Sequence, residues 1–217
     1  MTISPAWLIS DRREMAASLT PQDNQEFVRA ERLKSPDAVQ DFLHARATAR
    51  RLVAAETGLM PAAVRLRSHD DSVPTIIDRP DAAISWSKSG PLAFSAFMER
   101  GWLGCDIERV RPIEHLAMLD MIATDTEAAL IRGLTGASQE GTPAAFFRLW
   151  SAKEAVLKWQ GSGLRGGAKS VEVPVPIIMG NDTVSDLVRN GVSLTLMQVE
   201  TPGDRVAMLA FSEQRPA

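Results

Sequence analysis

Five short segments between residues 64 and 107 constrain the fold most: 64–66, 75–77, 83–86, 92–97 and 102–107. They are apolar or alternating, and Pro, Gly and Asp lie between them. Such segments read as strands of a mostly antiparallel sheet. Their flanks read as helix. After Thr20-Pro21 a helix is predicted, because proline suits a first turn and Asp23 and Glu26 complement its positive end. A second is predicted over about 37–57. Phe42, Leu43, Ala47, Leu52 and Val53 form its buried face, and Gly58 is its stop signal.

The same order then returns. Residues 7–10 make a short first strand ahead of the first helices. Beyond the strand at 102–107 come a helix over 113–132 and a longer one over 142–159, broken by Gly161, Gly163, Gly166 and Gly167. Three alternating stretches, 170–175, 192–199 and 205–211, read as closing strands. Strand, helices and strands thus occur roughly twice, dividing near residue 100, with no residue-level repeat. The expectation is an α+β fold of two similar lobes, 1–100 and 101–217.

With 217 residues, 45% of them hydrophobic, the chain can bury a substantial core. Its 24 basic and 27 acidic side chains leave a formal charge of −3. Bulk charge therefore gives no argument for nucleic acid or an anionic membrane, and an anionic ligand would need a local cluster. One cysteine, Cys105, excludes an internal disulfide or a multi-cysteine zinc site. The first residues lack the pattern of a signal peptide, and no stretch approaches the roughly 20 apolar residues of a membrane span. A soluble, cytoplasmic protein is the expectation.

Two groups of residues carry chemistry. Asp106 and Glu108 are two apart on a predicted strand, so their side chains share a face. Adjacent carboxylates raise one another's pKa unless a cation lies between them. Oxygen donors without nearby His or Cys favour Mg²⁺ or Mn²⁺. The alternative is an acidic, exposed strand end. Glu154 and Lys158, in Trp150-Ser151-Ala152-Lys153-Glu154-Ala155-Val156-Leu157-Lys158, have the spacing of a surface ion pair on a helix. Trp150, Val156 and Leu157 suggest burial instead, where such charges are costly without a partner. If Asp106, Glu108 and Glu154 converge, a divalent cation is that partner.

Gly104-Cys105-Asp106-Ile107-Glu108, followed by the segment from Trp150 to Lys158, resembles the two signature motifs of 4′-phosphopantetheinyl transferases, G-[IV]-D-[IV]-E and W-[ST]-x-K-E-[AS]-x-x-K. Gly161-Ser162-Gly163-Leu164 resembles the glycine-rich turn after the second motif. Phe42-Leu43-His44-Ala45-Arg46 with Arg50-Arg51-Leu52 resembles the family's arginine-bearing helix. Pro74 and Ser87-Lys88-Ser89-Gly90 are similar to the coenzyme A loop and the S-H-S segment, with Lys88 in place of histidine and Val73 in place of a common lysine. The length resembles the larger, pseudo-dimeric subfamily, in which one chain forms two lobes around the site.

The resemblance implies transfer of the 4′-phosphopantetheine arm of coenzyme A to a serine of an acyl or peptidyl carrier protein, releasing 3′,5′-adenosine bisphosphate. It implies Mg²⁺, or Mn²⁺, on Asp106, Glu108 and Glu154. Lys158 would face the phosphate, and Glu154, directly or through water, would be the base. Arg46, Arg50, Pro74, Ser87, Lys88, Ser89 and Lys153 would contact coenzyme A. The N-terminal lobe would carry the coenzyme A helix and loop, and the C-terminal lobe the metal and catalytic motifs. A monomer without nucleic-acid or membrane partners is implied. A degenerate member that binds without transfer, or another Mg²⁺ enzyme such as a pyrophosphate hydrolase, are the rival readings. Glu127 is a candidate partner for Lys158. His44, His69 and His115 form no metal spacing, Cys105 reads as strand packing, and Trp86, Trp102 and Trp150 are core candidates.

Overall fold

A computed structural model describes residues 4–15, 18–68, 72–112, 115–134, 141–163, 167–201 and 203–216. His69, Leu164 and Gly166 lie outside the described residues. The protein is α+β, as its alternating pattern predicts, and divides into two compact units, 1–101 and 102–217. No helix among the described residues is long and apolar enough to cross a membrane.

In the first unit, β1 (Ala6–Asp11), β4 (Ala83–Ser89) and β5 (Leu92–Met98) form an antiparallel sheet in the order β1-β5-β4. The central strand β5 is buried along its whole length. A two-stranded ribbon pairs β2 (Leu66–Arg67) with β3 (Thr75–Ile76), each one residue shorter than the segment that predicted it. Helix α1 (Asn24–Glu31) begins where Asp23 accepts a hydrogen bond from the Glu26 amide. Helix α2 (Pro36–Thr57) starts from the Ser35 cap with proline in its first turn, and ends on Gly58 at φ 72°. A left-handed residue there costs glycine little. Ala49, Leu52 and Val53 of α2 meet Ile84 and Phe97 of the sheet in this unit's core.

In the second unit, β6 (Trp102–Arg109), β7 (Val184–Arg189), β8 (Val192–Val199) and β9 (Arg205–Ser212) form an antiparallel sheet in the order β6-β9-β8-β7. Helix α5 (Gly141–Gln160) crosses β6 and β9. Phe146, Leu149, Val156, Leu157 and Trp159 fill the core beneath it. The fully buried tryptophan is thus Trp159. Trp86, Trp102 and Trp150 are half-buried at the core margins.

Two sequence expectations fail here for identifiable reasons. The single helix over 113–132 is two, α3 (His115–Ile122) and α4 (Asp125–Leu134), because Thr124 and Glu127 cap each other reciprocally. The strand over 170–175 is absent. In its place are a 3₁₀ turn over Ala168–Ser170, an extended stretch and the short α6 (Val175–Met179). Its backbone serves side chains: the Val171 carbonyl accepts from Lys153, and the Val173 amide donates to Glu127. The missing strand is β7, joined to β8 by Asn190-Gly191 at φ 51° and 77°. Asn-Gly with both residues left-handed is a strong hairpin signal.

Candidate active site

The chemistry of the second unit begins with a glycine. On β6, Gly104, Asp106 and Glu108 alternate onto one face, the face covered by α5. A Cβ on Gly104 would collide with the Ala155 carbonyl oxygen and the Trp159 amide nitrogen, and would lie 2.8 Å from the Lys158 carbonyl carbon. Only glycine lets strand and helix backbones approach this closely. The approach sets Lys158 against Asp106. The Lys158 ammonium donates to Asp106 Oδ1 at 2.7 Å and to the Cys105 carbonyl at 3.1 Å. Burial opposes its charge, but Asp106 and Glu154 outweigh that and raise its pKa.

Glu154 lies one helical turn before Lys158. Burial, first, and then the charges of Asp106 and Glu108 hold its carboxyl above the ordinary range, against the attraction of Lys158. Its Oε1 is buried with no hydrogen-bond partner among the described residues. Three carboxylates therefore act on one another electrostatically, with one buried oxygen facing no donor. This donor set suits a hard divalent cation. Among the described residues, however, no three His, Cys, Asp or Glu side chains are gathered closely enough to grip an ion as they stand. The cation in contact with Asp106 is Lys158.

Lys153, directly before Glu154, is fully buried. Its ammonium contacts Glu127 Oε2 at 2.7 Å, the Ala168 carbonyl at 3.1 Å and the Val171 carbonyl. Glu127 also accepts from the Thr124 and Val173 amides at 2.8 Å each. The pairing of Glu127 with Lys158 suggested by sequence is corrected: Glu127 belongs to Lys153, and Asp106 to Lys158. Beyond Lys158, the Gly161 and Ser162 amides close the last turn of α5 on the carbonyls of Lys158 and Leu157, with Gly161 at φ 75°.

A separate cationic cavity belongs to the first unit. Its volume is about 290 Å³, and Arg29, Arg32, Arg46 and Ser68 line it together with Asp23 and Glu26. The Arg46 guanidinium lies over the rings of Trp86 and Phe42, at 4.4 and 5.1 Å, and donates to Ser68 Oγ at 3.2 Å. Its Nε is buried without a hydrogen-bond partner among the described residues. Burial lowers its pKa to about 10, which still leaves it charged at neutral pH. Arg50 is instead committed internally, to Glu26 at 2.6 Å, Asp23 at 3.5 Å and the Val64 carbonyl at 3.2 Å.

Lys88 alternates onto the Trp86 face of β4 and is exposed. Ser87 and Ser89 are half-buried on that strand, and Pro74 is half-buried just before β3. Arg29 and Arg32 were missed in the sequence. Their signal was two arginines three apart at the end of a helix whose start was already legible.

Residues 103–182 match the family model described as the 4′-phosphopantetheinyl transferase superfamily. This interval contains Asp106, Glu108, Lys153, Glu154 and Lys158. The chain is 28% identical over 172 residues to the 4′-phosphopantetheinyl transferase HetI of Nostoc sp., covering 77% of this chain and 69% of HetI. It is 32% identical over 101 residues to the 4′-phosphopantetheinyl transferase Sfp of Bacillus subtilis, covering 46% and 43%. The Synechocystis sp. protein slr0495, provisionally named for the same activity, is 28% identical over 152 residues, covering 68% and 60%. The matches to slr0495 and Sfp thus span less than two thirds of those relatives' lengths.

Proposed function

Since the chain belongs to the 4′-phosphopantetheinyl transferase superfamily, we propose that it moves the 4′-phosphopantetheine arm of coenzyme A onto a serine of an apo acyl or peptidyl carrier protein. The observation that carries the reading is the cluster of Asp106, Glu108, Glu154 and Lys158 where β6 and α5 interlock.

In the proposed reaction the serine oxygen attacks the β-phosphorus of coenzyme A. A new P–O bond forms to serine, and the bond to the α-phosphate side breaks, releasing 3′,5′-adenosine bisphosphate. Such transfers depend on positioning and charge neutralisation. Asp106, Glu108 and Glu154 would hold Mg²⁺, which when bound supplies positive charge to the pyrophosphate oxygens. Lys158 brings a second, mobile cation to the same charge. Glu154 accepts the serine proton, directly or through a water. A carboxylate that also touches a cation is the weaker base by pKa, which favours the route through water.

Arg46 is suited to a phosphate because its guanidinium is held between two rings, so little ordering is left to be done on binding. Arg29, Arg32 and Lys88 add charge in the same unit. The committed positions of Arg50 and Lys153 give them supporting roles: Arg50 engages the acids beside the Arg46 cavity, and Lys153 anchors α5.

Intact-mass spectrometry of an apo acyl carrier protein incubated with this chain, coenzyme A and Mg²⁺ tests the reading. A gain of one phosphopantetheine, abolished by EDTA, is expected. Coenzyme A binding with no gain across acyl and peptidyl carriers would overturn it.

A further inference from the structure

We propose that Lys158 is a displaceable counter-ion of Asp106, which a divalent cation must dislodge before it can use that carboxylate. The inference deepens the proposed function and rests on reading Asp106, Glu108 and Glu154 as metal ligands. Its basis is the contrast between the two lysines of α5. Lys153 has no exposed side-chain surface and three partners, Glu127 and two carbonyls. It has nowhere else to go. Lys158 is 29% exposed and touches Asp106 and a single carbonyl. Rotation of its flexible stem carries the ammonium to solvent.

Asp106 lacks that freedom. Its side chain is only 6% exposed, and the contact of Gly104 with the α5 backbone fixes the strand on the helix. An incoming cation must therefore meet Asp106 where it stands, 2.7 Å from an ammonium. Two positive charges so close repel strongly in a partly buried setting. Lys158 has to yield.

The exchange has a functional consequence. An anionic phosphate beside the cluster gives the released ammonium a new partner, so metal and phosphate promote one another's binding, each by the same factor.

Mn²⁺ binding to the full chain, followed by electron paramagnetic resonance without coenzyme A or carrier, tests the idea apart from turnover. Lys158→Met should bind Mn²⁺ about tenfold more tightly than wild type, the effect of removing one close charge from a partly exposed site. Lys158→Arg keeps the charge and should bind like wild type. If loss of the ammonium weakens the fold of Lys158→Met, its thermal stabilisation by Mn²⁺ should still saturate at lower concentration than that of wild type. Mn²⁺ bound equally well or more weakly by Lys158→Met overturns the inference and leaves the metal reading standing. No binding by either protein, or tight binding that survives Asp106→Asn, overturns both.

Discussion

Glu127 and Lys153 form a fully buried ion pair, 2.7 Å apart, in which each partner also bonds backbone: Glu127 takes the Thr124 and Val173 amides, and Lys153 the Ala168 and Val171 carbonyls. One contact thereby joins the start of α4, the middle of α5 and the chain after the glycine turn. Burial, first, and the charge of Arg189 lower the pKa of Lys153, and Glu127 opposes that shift. The lysine before the site glutamate is thus accounted for as an anchor.

Removing either partner leaves a buried charge alone, which costs about 3–5 kcal/mol. Glu127→Gln and Lys153→Met should each lose that much in urea unfolding. The double variant should lose clearly less than the sum. Strict additivity would show that the two side chains are energetically independent.

Gly104→Ala forces a methyl group into the backbone of α5, where rotamer changes offer no relief. Overpacking against backbone should cost about 3 kcal/mol or more. Thermal unfolding measures it. Carrier loading should fall further than the loss of folded protein explains, because helix and strand cannot separate without parting Lys158 from Asp106. A variant as stable and active as wild type would show that the interlock is looser than the structure has it.

The sequence showed the helix stop at Gly58, the strands β1, β4, β5 and β6, and the same-face placement of Asp106 and Glu108. All of these follow from local rules of backbone geometry. It did not show the partners of the lysines. Lys153 and Lys158 are both helical lysines near acids, and only the α4 capping box and the Gly104 approach assign one to Glu127 and the other to Asp106. The missed strand β7 lacks clean alternation, yet its Asn190-Gly191 turn was there to be read. The false strand over 170–175 had apolar spacing, but its backbone is spent on Lys153 and Glu127. The cationic cavity depends on Arg46 being held by Trp86, a contact between a helix and a strand far apart in the chain.

Glu154→Gln removes a buried carboxylate that Asp106 and Glu108 repel. At neutral pH its melting temperature should be no lower than that of wild type. Carrier loading should fall at least about 100-fold, since one group serves both as a proposed ligand and as base. Near-normal loading by a stable Glu154→Gln would remove Glu154 from the chemistry.

His44 gives the protein a pH-dependent stability that is separate from the site. Its ring lies between Met15 Sδ, 3.0 Å from Nδ1, and the Ser10 carbonyl, 3.2 Å from Nε2, to which neutral Nε2–H can donate. Burial, the largest influence, lowers its pKa below the usual 6.5. Arg51 lowers it further, while the Ser10 carbonyl, Asp11 and Asp41 pull it back upward. The folded ring therefore binds its proton less readily than the unfolded one. Between the depressed folded pKa and 6.5 the unfolded chain carries more protons, so stability rises with pH across that window. This contribution is complete above about pH 6.5 and is lost as pH falls through the folded pKa. Urea unfolding of wild type at intervals from pH 7.5 to mildly acidic values should show the decline beginning near the unfolded histidine pKa, at about 6.5. His44→Gln, which keeps a polar group but cannot titrate, should be less stable at pH 7.5 and should lack that part of the slope. Parallel pH profiles for the two proteins would show that the ring takes up its proton in the folded chain as easily as in water.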